Sequence, residues 1–200
     1  MLDSRIRPLI DPPLNAIGKG LARFGITANQ VTIAGAVIGI GAGVAIGCRY
    51  YLFGLALLLL SRILDGLDGA VARATSQSDF GGYLDIVSDF AFYVAVPVGF
   101  GFSAIANLPF AMILIASFTL TGISFLAYAV MAAKAGRETD AHGKKSFFYN
   151  TGLAEGTETI TAFVLMCLLP QYFAVIATIY SVMCMITVIQ RTIAAKVDFP

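Results

Sequence analysis

The sequence predicts an all-α membrane protein: a bundle of six transmembrane helices with an N-terminal amphipathic helix at the membrane surface. Three observations carry that expectation. The chain is 58% hydrophobic and only 12% charged, where soluble domains carry about a quarter charged residues. Its mean hydropathy is +0.83, and the apolar residues gather into stretches of about the 20 residues that a helix needs to cross a bilayer core. The N-terminal stretch departs from this pattern, mixing cations and prolines among its apolar residues. A length of 200 residues leaves room for one bundle and no separate soluble domain, so the expected units are a juxtamembrane segment, 1–28, and a six-helix domain, 29–200.

In the first segment Ile10, Leu14, Ile17, Leu21 and Phe24 recur at three-and-four spacing, with Arg5, Arg7, Lys19 and Arg23 around them. That pattern suits a helix lying in the interface, its cations toward lipid phosphates. Asp11-Pro12-Pro13 is expected to start it, because proline is tolerated in a first turn. No cleavable signal is expected in so polar a start.

Thr27 is read as the N-cap of the first span, about 29–48. Gly35, Gly39 and Gly43 then stand at every fourth position, which permits close approach by another helix. The second span is expected at about 51–74 and the third at about 81–104, joined by a short polar turn that makes them antiparallel neighbours. Spans four to six are expected at about 109–133, 150–169 and 171–193, with a hydrophilic loop, 134–145, before the fifth. A cytoplasmic N-terminus places every Lys and Arg except Arg49 on the cytoplasmic side, so the positive-inside rule selects that orientation. Cys48, Cys167 and Cys184 lack C-x-x-C spacing and read as small buried hydrophobes.

Against this apolar background Asp65, Asp68, Asp85 and Asp89 demand a reason. A charge at the centre of a membrane helix costs about 3 kcal/mol on insertion scales, so the four together need something that binds them. Asp65 and Asp68 are three residues apart and Asp85 and Asp89 four apart, so each pair shares a helix face with Cβ atoms about 5–6 Å apart. Two such pairs on neighbouring helices make an all-oxygen cage, which favours Mg²⁺, Mn²⁺ or Ca²⁺ over zinc. Four carboxylates suffice for two ions about 4 Å apart, the arrangement used in phosphoryl chemistry. Gly66 and Gly69, with Ala70 and Ala72, leave a shallow groove for a bulky group such as a nucleotide, and Arg73 is within reach of a phosphate there. Arg62, one turn before Asp65, is expected to pair with it or to meet a lipid phosphate. Lys144 and Lys145 are candidates for an anionic acceptor or simply solvated cations. Glu155 and Glu158 share a face of span five and are expected to line an acceptor cavity or to satisfy polar neighbours. His142 reads as a loop residue, and no basic-aromatic interleaving points to nucleic acid.

The run D-x-x-D-G-x-x-A-R, seven residues, then G-x-x-x-D-x-x-x-D resembles the signature of the class I CDP-alcohol phosphatidyltransferase family. Asp65, Asp68, Gly69, Ala72, Arg73, Gly81, Asp85 and Asp89 match it residue by residue, with a gap between Arg73 and Gly81 one residue shorter than the commonest form. Thr27 to Thr32, entering span one, is also similar to the family. The resemblance implies an enzyme of phospholipid biosynthesis. It would move a phosphatidyl group from CDP-diacylglycerol to the hydroxyl of a small polar alcohol, such as glycerol 3-phosphate or inositol phosphate, releasing CMP. It further implies Mg²⁺ or Mn²⁺, two ions, held by Asp65, Asp68 and Asp85. Gly69, Ala72, Arg73 and Gly81 would receive the CDP moiety, and Asp89 would be the general base that also touches a metal. A homodimer with its site near the cytoplasmic face completes the expectation.

Two other classes use carboxylates in a membrane. A magnesium-dependent prenyltransferase would have more spans and Asp motifs far apart in sequence, and would release diphosphate. An ion transporter would give flux without lipid turnover and offers no use for Gly69, Ala72 and Arg73. The acceptor has no spacing rule to read.

Overall fold

The computed structural model describes residues 3–135 and 152–199. Its α-helices run in order as α1 (Asp3–Arg23), α2 (Ala28–Gly47), α3 (Tyr51–Ala74), α4 (Asp79–Ser103), α5 (Leu108–Lys134), α6 (Gly156–Leu168) and α7 (Phe173–Asp198). Single 3₁₀ turns, Ile105–Asn107 and Pro170–Tyr172, lead into α5 and α7. No strand occurs among the described residues.

Local chemistry sets the helix starts. Thr27 caps α2 through a capping box, its hydroxyl accepting from Gln30 N at 3.3 Å while Gln30 Oε1 accepts from Thr27 N at 3.0 Å. Ser78 caps α4 by accepting from Gly81 N at 3.0 Å. Gly25, at φ +79°, supplies the left-handed turn that ends α1. Asp11-Pro12-Pro13, expected to start α1, lies inside it: proline's fixed φ is helix-compatible, so the helix extends upstream at the loss of two ladder donors.

The helices pack by close approach where residues are small. α2 crosses both α3 and α4. At the α2/α4 crossing a Cβ on Gly43 would collide with the Ala95 carbonyl, and one on Gly99 with the Gly43 carbonyl. The glycine ridge of the first span is therefore spent inside the chain. Around it Leu58, Phe92, Phe100, Phe163 and Phe173 form the fully buried core. Arg49, at φ 68° in the α2–α3 turn, donates through Nε to Ser103 O at 2.8 Å, placing a cation on the C-terminal end of α4.

Among the described residues, four stretches are long and apolar enough to cross a membrane: Ala28–Gly47, Asp79–Ser103, Ile105–Lys134 and Pro170–Asp198. α3, with 24 residues, is about 36 Å long, but Arg62, Asp65, Asp68 and Arg73 depress its hydropathy. α6 has 13 residues, or about 20 Å. Large apolar side chains such as Val37, Val44, Leu52, Met112 and Ile179 are exposed on the outer faces, as expected where lipid is the solvent.

Candidate active site

α3 and α4, expected to be packed neighbours, instead each pack against α2 and hardly touch one another along their backbones, and only side chains from the late turns of α3 and the early turns of α4 meet. This brings Asp65, Asp68 and Asp85 together, with one carboxylate oxygen of each within 4.8 Å of the others. Opposite ligands around a Mg²⁺-sized ion stand about 4.2 Å apart, so the three oxygens suit a hard divalent cation. Asp68 is buried, and its Oδ2 accepts from the Thr32 hydroxyl of α2 at 2.7 Å.

Asp89 is placed differently. Its Oδ1 lies 2.7 Å from Arg62 Nη1, while the same nitrogen is 3.6 Å from Asp65 Oδ1. The expected pairing of Arg62 with Asp65 is thus the weaker of two. The guanidinium lies 3.9 Å over the Phe92 ring and donates through Nη2 to Ser61 Oγ at 3.2 Å.

Two cavities flank the carboxylates. One, of about 350 Å³, is lined by Asn29, Thr32, Asp68, Gly69, Ala72, Gly81, Gly82 and Asp85, among others. Of its paired glycines, Gly81 is the constrained one: a Cβ there would meet Ser78 Oγ at 3.1 Å and Asn29 Oδ1 at 3.2 Å, whereas Gly82 faces open space. The second cavity, of about 320 Å³, is lined by Asp85, Asp89, Thr121, Glu155, Thr159, Tyr180 and Arg191, with several apolar residues.

Residues 25–193 match the CDP-alcohol phosphatidyltransferase family. The chain belongs to that family. It is 44% identical over 192 residues to the inner membrane protein YnjF of Escherichia coli, covering 96% of this chain and 93% of the relative. Over 87 residues it is 45% identical to an archaetidylinositol phosphate synthase of Pyrococcus horikoshii, 43% of this chain and 46% of that one. Its fold is similar to two structures of the Mycobacterium tuberculosis phosphatidylinositol phosphate synthase PgsA1. With manganese and citrate, the TM-score is 0.63 at 22% identity, covering 90% of this chain and 88% of that one. With CDP-DAG bound, it is 0.63 at 21%, covering 90% and 92%. The protein is therefore a membrane-embedded transferase of phospholipid biosynthesis.

Within this family frame, several sequence expectations take different positions. Gly66, expected to admit a nucleotide, instead meets α1: a Cβ there would stand 2.8 Å from Leu14 Cδ1. Arg73 donates through Nη2 and Nε to Asn15 Oδ1 at 3.0 and 3.3 Å. Glu155 is the extended N-cap residue before α6 begins at Gly156, and Glu158 stands in the first turn of that helix. Glu155 lines the second cavity and accepts from Gly152 N at 3.3 Å, and Glu158 Oε2 is buried with no hydrogen-bond partner among the described residues. Lys144, Lys145 and His142 lie outside the described residues.

Thr32, Asn15, Thr121, Tyr180 and Arg191 were not singled out by local spacing. Tyr180 and Thr159 share a hydroxyl contact of 2.6 Å, and Arg191 Nη1 donates to Thr121 O at 3.0 Å. Arg191, an arginine in the last apolar helix, offered the one visible sequence signal.

Proposed function

We propose that the protein transfers the phosphatidyl group of CDP-diacylglycerol to the hydroxyl of a small polar alcohol, releasing CMP. The observation that carries this reading is the convergence of Asp65, Asp68 and Asp85 beside two cavities, Asp68 lining one of them and Asp85 both. Asp65, Asp68 and Asp85 would hold Mg²⁺ or Mn²⁺, in keeping with their oxygen-only chemistry. What bound ions supply is neutralisation of the pyrophosphate and of the departing CMP oxygen.

The cavity bearing Gly69, Ala72 and Gly81 receives the nucleotide, since the absence of side-chain bulk lets a planar group approach the backbone. Arg73, beside Gly69 and tethered by Asn15, closes its edge. The cavity bearing Asp89, Glu155 and Arg191 receives the acceptor, with glycerol 3-phosphate and inositol phosphate as candidates and Lys144 and Lys145 as further contacts. Asp89 takes the acceptor's hydroxyl proton as that oxygen attacks phosphorus. The P–O bond to CMP breaks, and the new phosphodiester keeps the diacylglycerol.

This reading includes six spans, with α3 and the α6 region crossing beside the four apolar stretches, and a cytoplasmic N-terminus over 1–28 that lies on the membrane. It also includes a homodimer. Pairing would engage the apolar groove along Val44, Val87, Val94 and Phe102, which borders the Gly43–Gly99 crossing.

The test is purified protein in lipid nanodiscs with CDP-diacylglycerol, Mn²⁺ and a panel of acceptors, following CMP and the lipid product. Asp89→Asn is expected to retain nucleotide binding and to lose turnover by about 10²–10⁴-fold. Wild-type rates in that variant, or no CMP release with any acceptor, overturn the reading.

A further inference from the structure

Three consecutive residues, Ala154, Glu155 and Gly156, line the second cavity, and only the last of them belongs to a helix, α6. A segment outside any helix has no ladder to fix it, so its buried amides need partners from elsewhere. Those partners come from α7. Thr187 Oγ1 accepts from Leu153 N at 3.0 Å and from Ala154 N at 2.9 Å, and it donates to Met183 O at 3.0 Å. A hydroxyl has one donor and two acceptor sites, so all three are filled, and the residue is fully buried. Gly152 seats against the same side chain: a Cβ there would stand 2.8 Å from Thr187 Cγ2. Gly152 N in turn donates to Glu155 Oε1 at 3.3 Å. Positions 180, 184, 187 and 191 follow the spacing of one helix face, and Tyr180, Cys184 and Arg191 all line the cavity. Thr187 is the member of that face which the segment covers.

We propose that Thr187 is a positioning residue for the acceptor: its hydroxyl clips the segment 152–155 to α7 and so sets the Glu155 carboxylate in the cavity that also holds Arg191. This rests on the transferase reading above, in which the second cavity receives the acceptor. The nucleotide cavity is lined from α2, α3, α4 and the turn 75–78, with no residue of the clipped segment. Loosening the clip therefore acts on the acceptor and leaves the CDP-linked donor alone. A residue that merely stabilises the fold would affect both substrates alike.

The test uses the full chain in lipid nanodiscs with CDP-diacylglycerol and Mn²⁺, with glycerol 3-phosphate and inositol phosphate supplied in turn. Thr187→Val keeps the shape and leaves two amides without a partner. It is expected to raise KM for the acceptor by about tenfold or more, the scale of an unsatisfied buried donor, with KM for CDP-diacylglycerol within about twofold of wild type. Amide hydrogen exchange in a peptide covering Leu153 and Ala154 is expected to quicken by a similar factor. Thr187→Ser retains Oγ1 as its own hydroxyl and is expected to recover both readouts. Gly152→Ala is expected to raise the acceptor KM by pushing the segment off Thr187, and Gly152→Ala with Thr187→Ser to restore it, because the colliding methyl is gone.

A wild-type acceptor KM in Thr187→Val, an equal rise in both KM values, or wild-type exchange at Leu153 and Ala154 overturns the proposal. Where Thr187→Val folds poorly the glycine pair decides, and a double variant no better than Gly152→Ala alone overturns it as well. Wild-type protein that releases no CMP with either acceptor instead defeats the transferase reading, while the exchange measurement still decides whether Thr187 holds the segment.

Discussion

Asp68 is the most buried of the clustered carboxylates, 6% exposed, and the hydroxyl that meets it belongs to Thr32, 36 residues away. A buried carboxylate must be hydrogen-bonded or must bind a cation, and here one oxygen is oriented by α2 while the side chain faces the Asp65–Asp85 cluster. Thr32→Val keeps the shape and removes the hydroxyl. Outer-shell partners are worth about 10–100-fold in metal affinity, so the variant is expected to raise the Mn²⁺ concentration for half-maximal transfer by about tenfold. An unchanged metal response would leave Thr32 as a packing residue alone. The four aspartates were legible in the sequence because their spacing is local, three and four residues along a helix. The contacts of Thr32 with Asp68 and of Arg62 with Asp89 were not, since each partner lies on another helix and helix periodicity carries no record of which neighbour a face meets.

At the level of elements, α1 does more than lie at a surface, for it packs against α3. Leu14 sits over Gly66 and Asn15 holds Arg73, so α1 is the flank that fixes the arginine beside Gly69, in the wall of the cavity proposed for the nucleotide. Gly66→Val places methyl groups where Leu14 now stands. Overpacking costs about 1–3 kcal/mol and is expected to lower the thermal midpoint in detergent. It is also expected to raise KM for CDP-diacylglycerol, because Asn15 moves away with α1. A normal midpoint and KM would show that α1 is dispensable to the site.

The helix limits of α2, α3 and α5 were readable from apolar runs bounded by Thr27, Arg49 and Pro109. The start of α1 was not, because proline signals a first turn and is equally compatible with a continuing helix. The purpose of Gly66 was also hidden: a glycine beside a motif reads alike whether it yields space to a ligand or to a neighbouring leucine.

At the scale of the whole molecule the orientation in the bilayer governs everything proposed, since water-soluble CMP and acceptor must reach the carboxylates. The carboxylates lie toward the ends of α3 and α4 that meet at the turn 75–78, and the opposite ends carry Arg49 and Ser103. The cysteines offer a direct measurement. Cys48, the C-cap of α2 beside Arg49, is exposed, whereas Cys167 and Cys184 are buried in the core. Cys48 thus stands at the end of the bundle opposite the carboxylate cluster, and the other two act as internal blanks. With the N-terminus cytoplasmic, a membrane-impermeant maleimide is expected to label Cys48 in right-side-out vesicles and not in inverted ones, and Cys48→Ser is expected to abolish the signal. Labelling confined to inverted vesicles would place Asp65, Asp68 and Asp85 on the outer face, away from a cytoplasmic nucleotide pool, and would overturn the orientation while leaving the site itself intact.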